Sequence, residues 1–251
     1  MNQILEANNL CKSYSNGSVL QHVLRNLNIK IYEGDFTVIM GNSGSGKSTL
    51  LYALSGMDKP TLGTINFRKE EISKYNNDKL AIFRRKHCGF IFQQMYLNDT
   101  MSVMDNILIS GLLVNKDRKA LRKKAESLLE AVGMEKDCQS KFPSQLSGGE
   151  AQRVAIVRAL INQPEIVFAD EPTGALNSMN ATNVLDIMTQ VNQEGQSILM
   201  VTHDMKTARR ANRILYLKDG VIMDELNLGP YVKGDTQRHN ILKAFLEKMG
   251  W

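Results

Sequence analysis

The nine residues Gly41-Asn42-Ser43-Gly44-Ser45-Gly46-Lys47-Ser48-Thr49 constrain this chain more than any other stretch. They follow the apolar run Phe36-Thr37-Val38-Ile39-Met40, which reads as a buried strand. They precede Leu50-Leu51-Tyr52-Ala53-Leu54, which reads as a helix ending at Gly56. Strand, glycine loop, Lys-Ser and helix in that order form the phosphate-binding loop pattern. Gly41, Gly44 and Gly46 open backbone conformations that let N–H groups close on phosphate oxygens. The helix N-terminus adds partial positive charge. In such a loop Lys47 reaches the β- and γ-phosphates and the Ser48 hydroxyl binds Mg²⁺. A bound nucleoside triphosphate is the expectation.

A chain of 251 residues can bury one large core, or one core with a subdomain. It contains no run of about 18 uncharged apolar residues, so no segment is expected to span a bilayer. Met1 to Glu6 lacks the basic-then-apolar start of an export signal. Cys11, Cys88 and Cys138 are scattered, as in a reducing cytosol. The formal charge of +5 comes without a basic block, so nucleic acid is not an expected partner. The densest basic cluster, Arg118, Lys119, Arg122, Lys123 and Lys124, lies opposite Leu121, Ala125, Leu128, Leu129 and Val132 on a helical pattern. It reads first as a solvated helix face, with acidic lipid headgroups or another subunit as the alternatives.

Residues 4 to 32 alternate as strands, with Leu27, Ile29 and Ile31 on one face and Asn16-Gly17 as a hairpin signal. With Thr61 to Phe67 they predict an N-terminal antiparallel sheet. Tyr14 in it either packs half-buried or stacks on a purine. Asp78 to Lys86 predicts a helix, and Cys88 to Phe92 a strand running into Gln93, whose amide oxygen could face a metal. Ser102 and Asp105 predict a helix cap, and Gly133 a helix end. Residues 95 to 145 form a helical insertion between core strands, reaching about 160 with the helix after Leu146. Met95, Tyr96, Leu97, Met101 and Met104 read either as core of this insertion or as a pliable groove for a partner helix.

Ser147 and Glu150 form a capping box around Gly148-Gly149. Two glycines in a first helical turn cost roughly 1 kcal/mol each relative to alanine, which makes sense where something approaches the backbone closely. A bare helix N-terminus with a serine is a second phosphate site, and the chain already has its own loop. The expectation is the nucleotide of another subunit. Glu165 to Glu171 reads as a strand ending in two acids, Asp170 to hold Mg²⁺ and Glu171 to polarise water. Ser197 to Val201 leads likewise to Thr202-His203-Asp204, with His203 placed to meet a γ-phosphate. Arg213 to Leu217 and Val221 to Glu225 predict a hairpin. Past Leu228-Gly229-Pro230 a packed tail is expected, with Ile241, Leu242, Phe245, Leu246 and Met249 on the buried face of a helix.

Together these motifs resemble the ATP-binding subunits of ABC transporters. They occur in family order along nearly the whole chain, and Leu146-Ser147-Gly148-Gly149 is the specific element. The resemblance implies an α/β phosphate-loop core of RecA-like type, an N-terminal antiparallel β subdomain and an inserted α-helical subdomain. It implies a cassette over 4–228 and a tail over 229–251. ATP and Mg²⁺ would be bound, with Tyr14 stacking on adenine. Gly41 to Thr49 would hold the phosphates, and Ser48, Gln93 and Asp170 the metal. Glu171 would act as catalytic base and His203 as a switch. Ser147, Gly148 and Gly149 would close on the ATP of a second copy. A permease would hold the chain at the cytoplasmic membrane face, peripherally. Phe168 to Asn177 resembles the group of lipoprotein-release, macrolide-export and cell-division ATPases. Ala-Leu-Asn-Ser and the Met-Gly-Trp end are most like antimicrobial-peptide resistance transporters of the bacitracin and lantibiotic type. Two departures stand out. Ala151 replaces a frequent glutamine, and Asn177 replaces a common aspartate, which questions the link between the two ATP sites.

Overall fold

A computed structural model describes residues 2–17 and 19–251. The chain divides into two compact units, one formed by residues up to Ala81 with Asn192–Trp251, the other by Ile82–Val191.

The first unit begins with two long strands, β1 (Gln3–Asn16) and β2 (Val19–Tyr32), paired antiparallel with Asn16 opposite Val19. Leu27, Ile29 and Ile31 are buried on one face, as their alternation requires. Asn9 and Asn26 take left-handed φ of 50° and 47° where the register shifts, so the ribbon bulges there. After β3 (Phe36–Met40) and helix α1 (Lys47–Leu54) come β4 (Leu62–Phe67) and β5 (Glu70–Glu71). These complete an antiparallel sheet in the order β2-β1-β4-β5. Helix α2 (Asn77–His87) leads out of this unit.

The second unit starts with β6 (Cys88–Phe92) and helices α3 (Val103–Gly111), α4 (Arg118–Ala131) and α5 (Gly148–Leu160). Val103, Ile107, Leu121, Leu129, Val154 and Val157 pack these helices together, and Leu97 rests against them. Met104 is buried in the same cluster. Leu97 and Met104 therefore serve the core, and only Tyr96 of that stretch stands clear, 65% exposed. Strand β7 (Ile166–Asp170) runs parallel to β6, and helix α6 (Ser178–Gln193) follows.

The remaining elements belong to the first unit. Strand β8 (Ser197–Val201), short helix α7 (Met205–Ala208), β9 (Arg213–Lys218) and β10 (Val221–Asn227) precede the last helix α8 (Gln237–Lys248). β3 lies between β8 and β9, parallel to both, and β10 closes the edge antiparallel to β9. Every residue of β3 and β8 is buried, the pattern of parallel strands covered on both faces.

The tail helix departs from expectation in one residue. Leu242, Phe245 and Leu246 are buried, but Ile241 points to solvent. It lies one turn before Phe245, about 40° beyond it at the border of the stripe, and its side chain stays in water. Trp251 sets its ring edge-on to Tyr216, centroids 6.2 Å apart. Arg238 is the unforeseen feature. It is buried, and its guanidinium donates to the carbonyls of Arg209 at 2.6 Å, Leu228 at 3.0 Å, Gly229 at 2.8 Å and Pro230 at 3.3 Å, and to that of Ala211.

Candidate nucleotide site

In the first unit the site is built on two parallel strand ends. Ile39 of β3 is paired with Val201 of β8, so Gly41 and His203 emerge together past the carboxyl ends of these strands. Thr202 N–H donates to the Ile39 carbonyl at 3.2 Å, which keeps the two exits side by side. Asp204 then caps α7, accepting from the amides of Lys206 and Thr207. Burial works against its charge, yet the Thr207 hydroxyl and the two amides outweigh it and hold Asp204 below the usual carboxylate range. His203 is exposed between the buried Thr202 and this cap.

The loop itself is tightly made. A Cβ at Gly41 would collide with the Leu217 carbonyl and come within 2.7 Å of the Ser45 hydroxyl. Gly46 takes φ of 101°, a conformation closed to most L residues, and starts α1 with no side chain capping the helix. Helices α3, α4 and α5 use Ser102, Asp117 and Ser147 for that purpose, whereas α8, like α1, begins without a side-chain cap, at Thr236. A helix start with no side-chain cap suits an anionic ligand. Lys47 is only 8% exposed and its ammonium donates to the carbonyls of Gly41 at 2.7 Å and Asn42 at 3.0 Å. The Ser45 hydroxyl is buried without a hydrogen-bond partner. An uncapped helix start, an inward-folded lysine and an orphaned hydroxyl fit an anionic phosphate group.

Tyr14, on β1, belongs to a small polar cluster near this loop. Its hydroxyl donates to Asp58 at 2.8 Å, and Lys12 pairs with Asp58 at 2.7 Å while lying 4.8 Å from the Tyr14 ring centre. Burial and then the Asp58 bond push the phenol up, and Thr49 at the end of the loop pulls the other way. Tyr14 is 44% exposed, with its hydroxyl tied to Asp58.

The second unit assembles the acids and the glutamine by the same device. Phe92 of β6 is paired with Asp170 of β7, so Gln93 and Glu171 are the first residues past matching strand ends. Glu171 takes φ of 47°, a left-handed conformation that costs a non-glycine residue about 1–3 kcal/mol. Gly174 N–H donates back to the Glu171 carbonyl at 3.0 Å and closes the turn. The Gln93 side chain lies against that turn, since a Cβ at Gly174 would come within 3.0 Å of its Nε2. A serine hydroxyl, an amide oxygen and a carboxylate, as in Ser48, Gln93 and Asp170, are hard oxygen donors of the kind Mg²⁺ takes.

The Gln93 segment is fastened from α5, which sequence reasoning missed. Gln152 Nε2 donates to the Phe92 carbonyl at 3.1 Å. Arg158 donates to the carbonyls of Met95 and Tyr96, both at 2.6 Å, and burial lowers its pKa. No sequence signal marked either residue, because a polar side chain within an amphipathic helix reads as surface.

At the start of α5 the capping box is present as expected. The Ser147 hydroxyl accepts from Glu150 N–H at 3.3 Å, and Glu150 accepts from Ser147 N–H at 2.8 Å. Ser147 and Gly148 are exposed, while Gly149 is buried. A Cβ at Gly149 would come within 2.6 Å of Asn180 Cγ, so this glycine makes room for α6 of its own chain. Only Gly148 leaves its backbone open to something from outside. Asn177, the departure noted above, accepts from Asn180 N–H at 2.9 Å. It therefore caps α6 as an aspartate would.

The chain is similar to known proteins over most of its length. Residues 24–174 match the family model of the ABC transporter. An uncharacterised ABC transporter ATP-binding protein of Methanocaldococcus jannaschii is 44% identical over 89% of this chain and all of its own length. Bacitracin export ATP-binding protein BceA of Halalkalibacterium halodurans is 40% identical over 98% of this chain and 96% of its own. A macrolide export ATP-binding/permease protein, MacB of Mannheimia succiniciproducens, is 40% identical over 95% of this chain, which spans 35% of it. Among solved structures, a dimeric post-hydrolysis ATP-binding cassette bound to ADP and Pi is 36% identical, with a TM-score of 0.82 over 91% of this chain and all of that one. The chain belongs to the ABC transporter family and is an ATP-hydrolysing cassette of it.

Proposed function

We propose that the chain works as the ATPase of a membrane export or resistance system, pairing head-to-tail with a second copy around two ATP and driving an integral-membrane permease from the cytoplasmic face. The observation that carries this is the strained Glu171, held left-handed beside Gln93 at the matched ends of β6 and β7. Backbone strain at an acid following Asp170 is retained where the carboxylate must be aimed. In this reading Glu171 takes a proton from water attacking the γ-phosphate, and Lys47 and His203 hold that phosphate. Mg²⁺ at Ser48, Gln93 and Asp170 would supply positive charge against the phosphates. Exposed Ser147 and Gly148 face outward for the partner's nucleotide, which fits the dimeric form of the related cassette. Kinship with bacitracin and macrolide export ATPases favours export of, or resistance to, antimicrobial compounds.

The test is Glu171→Gln in the purified chain. ATP binding should persist, turnover should fall by about 10² to 10⁴, and an ATP-loaded dimer should accumulate. Adding Ser147→Arg should abolish that dimer while leaving nucleotide binding to the monomer. Near-parental turnover in Glu171→Gln would reject the base, and a Ser147→Arg chain that still dimerises would reject the shared site.

A further inference from the structure

The corner where α3 turns into α4 carries side chains that the ATPase reading does not use. Leu112, Leu113 and Val114 follow the last turn of α3, and all three are exposed, Leu113 at 59%. Ile109, one helical turn earlier, is also exposed. Beside them stands the basic face of α4. Between residues 112 and 124 there are six cations, Lys116, Arg118, Lys119, Arg122, Lys123 and Lys124, against one acid, Asp117. That excess equals the formal +5 of the whole chain. The acid is engaged locally, because Asp117 accepts the amides of Lys119 and Ala120 at the start of α4. Arg118 and Arg122 approach Asp105 at 3.8 Å and Glu126 at 3.2 Å, with both arginine side chains largely in water. Such exposed pairs contribute little and exchange readily for another anion.

The corner is rigid. Gly111 lets Leu121 of α4 come so close that a Cβ would stand 2.8 Å from its Cδ2. Asn162 donates to the Ser110 carbonyl at 2.9 Å and pins the end of α3 to the chain following α5. Backbone bonds from Val114 and Asn115 to the Gly111 carbonyl, each 3.0 Å, fold the turn itself. Its apolar side chains are thus presented outward by a fixed frame and are not a loose loop.

We propose that this corner docks on an anionic lipid surface, with Leu112, Leu113 and Val114 entering the interface and the α4 cations facing headgroup phosphates. Apolar side chains rimmed by lysine and arginine are what binding at a charged membrane interface requires. A second copy of the same face is disfavoured by charge, since it would set six cations against six. The surface is separate from the ATP chemistry, so it can hold the chain at the membrane whether or not a nucleotide is bound.

The test measures binding of the full chain to vesicles of phosphatidylcholine and phosphatidylglycerol in equal parts, and to phosphatidylcholine alone. Binding to the mixed vesicles only, weakened by about 1 M salt, is expected. Arg118→Gln, Lys119→Gln and Lys123→Gln together should lower partitioning on the order of a hundredfold, given roughly 1 kcal/mol for each cation. Leu113→Gln with Val114→Gln should lower it by about tenfold. Both sets should fold and hydrolyse ATP at the parental rate. Equal binding to both kinds of vesicle, or parental binding by the variants, overturns the proposal. So does loss of self-association, or of assembly with the permease, in variants whose vesicle binding is unaltered.

Discussion

Gly149 shows how a residue read from its type can serve a different neighbour. A glycine in the first turn of a helix signals close approach, and close approach is what the structure contains. The approaching group is Asn180 of the same unit, with its Cγ 2.6 Å from where a Cβ would be. Gly149→Ala should therefore destabilise the fold by about 1–3 kcal/mol through overpacking, against the gain of roughly 1 kcal/mol in helix propensity. Combining it with Asn180→Ala should recover most of the loss, as a coupled pair does. Urea unfolding of the two single variants and the double variant measures this. A fully additive result would show that the two residues do not touch. Asn177 carries the same lesson. Its difference from aspartate leaves the cap of α6 intact at 2.9 Å, because both side chains accept from the same amide.

Among elements, α5 ties together several parts of its unit. Its first turn presents Ser147 and Gly148, its middle holds the Phe92 carbonyl through Gln152, and Arg158 near its end holds those of Met95 and Tyr96. One rigid helix thus connects the exposed signature to the segment after Gln93. The capping box that starts it is pH-sensitive. The hydrogen bonds with Ser147 hold Glu150 below its usual range, so the folded state binds the proton more weakly than the unfolded one. Its contribution to stability is complete above the unfolded value of about 4.3 and is lost as pH falls through the depressed folded value. Amide resonances of Ser147 and Glu150 should move together on acidification, below the range where an unperturbed glutamate titrates. Movement centred near pH 6 would contradict the assignment. Glu150→Gln should keep the cap and remove the pH dependence, since the amide oxygen still accepts.

For the whole molecule, Arg238 joins parts of the first unit that no local signal connects. One side chain satisfies carbonyls from Arg209, Ala211, Leu228, Gly229 and Pro230, closing the tail against the chain after α7. Arg238→Met leaves these carbonyls without their donor and should cost about 3 kcal/mol or more. The midpoint of urea unfolding should fall, and trypsin should cleave the α8 region sooner than in the parent. Arg238→Lys should rescue little, because one ammonium cannot reproduce a planar fork serving five acceptors. A midpoint unchanged by Arg238→Met would show that α8 is held by Leu242, Phe245 and Leu246 alone.

The strands, the phosphate loop, the helix caps at Ser102 and Ser147 and the family were legible in the sequence because each is written locally. A buried parallel strand is a short apolar run, a cap is a residue type three positions before its partner, and a glycine loop repeats at fixed spacing. The pairing of Phe92 with Asp170 and of Ile39 with Val201 was not legible, and it is what makes neighbours of Gln93 with Glu171 and of Gly41 with His203. Register between distant strands is set by packing on both faces, and no local pattern records it. The same reason hid Arg158 and Arg238, whose partners are backbone carbonyls that every residue owns. It also placed Met104 and Leu97 in the core and left Tyr96 outside. Residue types and spacing determined which chemistry this chain carries; tertiary packing alone decided which side chains stand together to perform it.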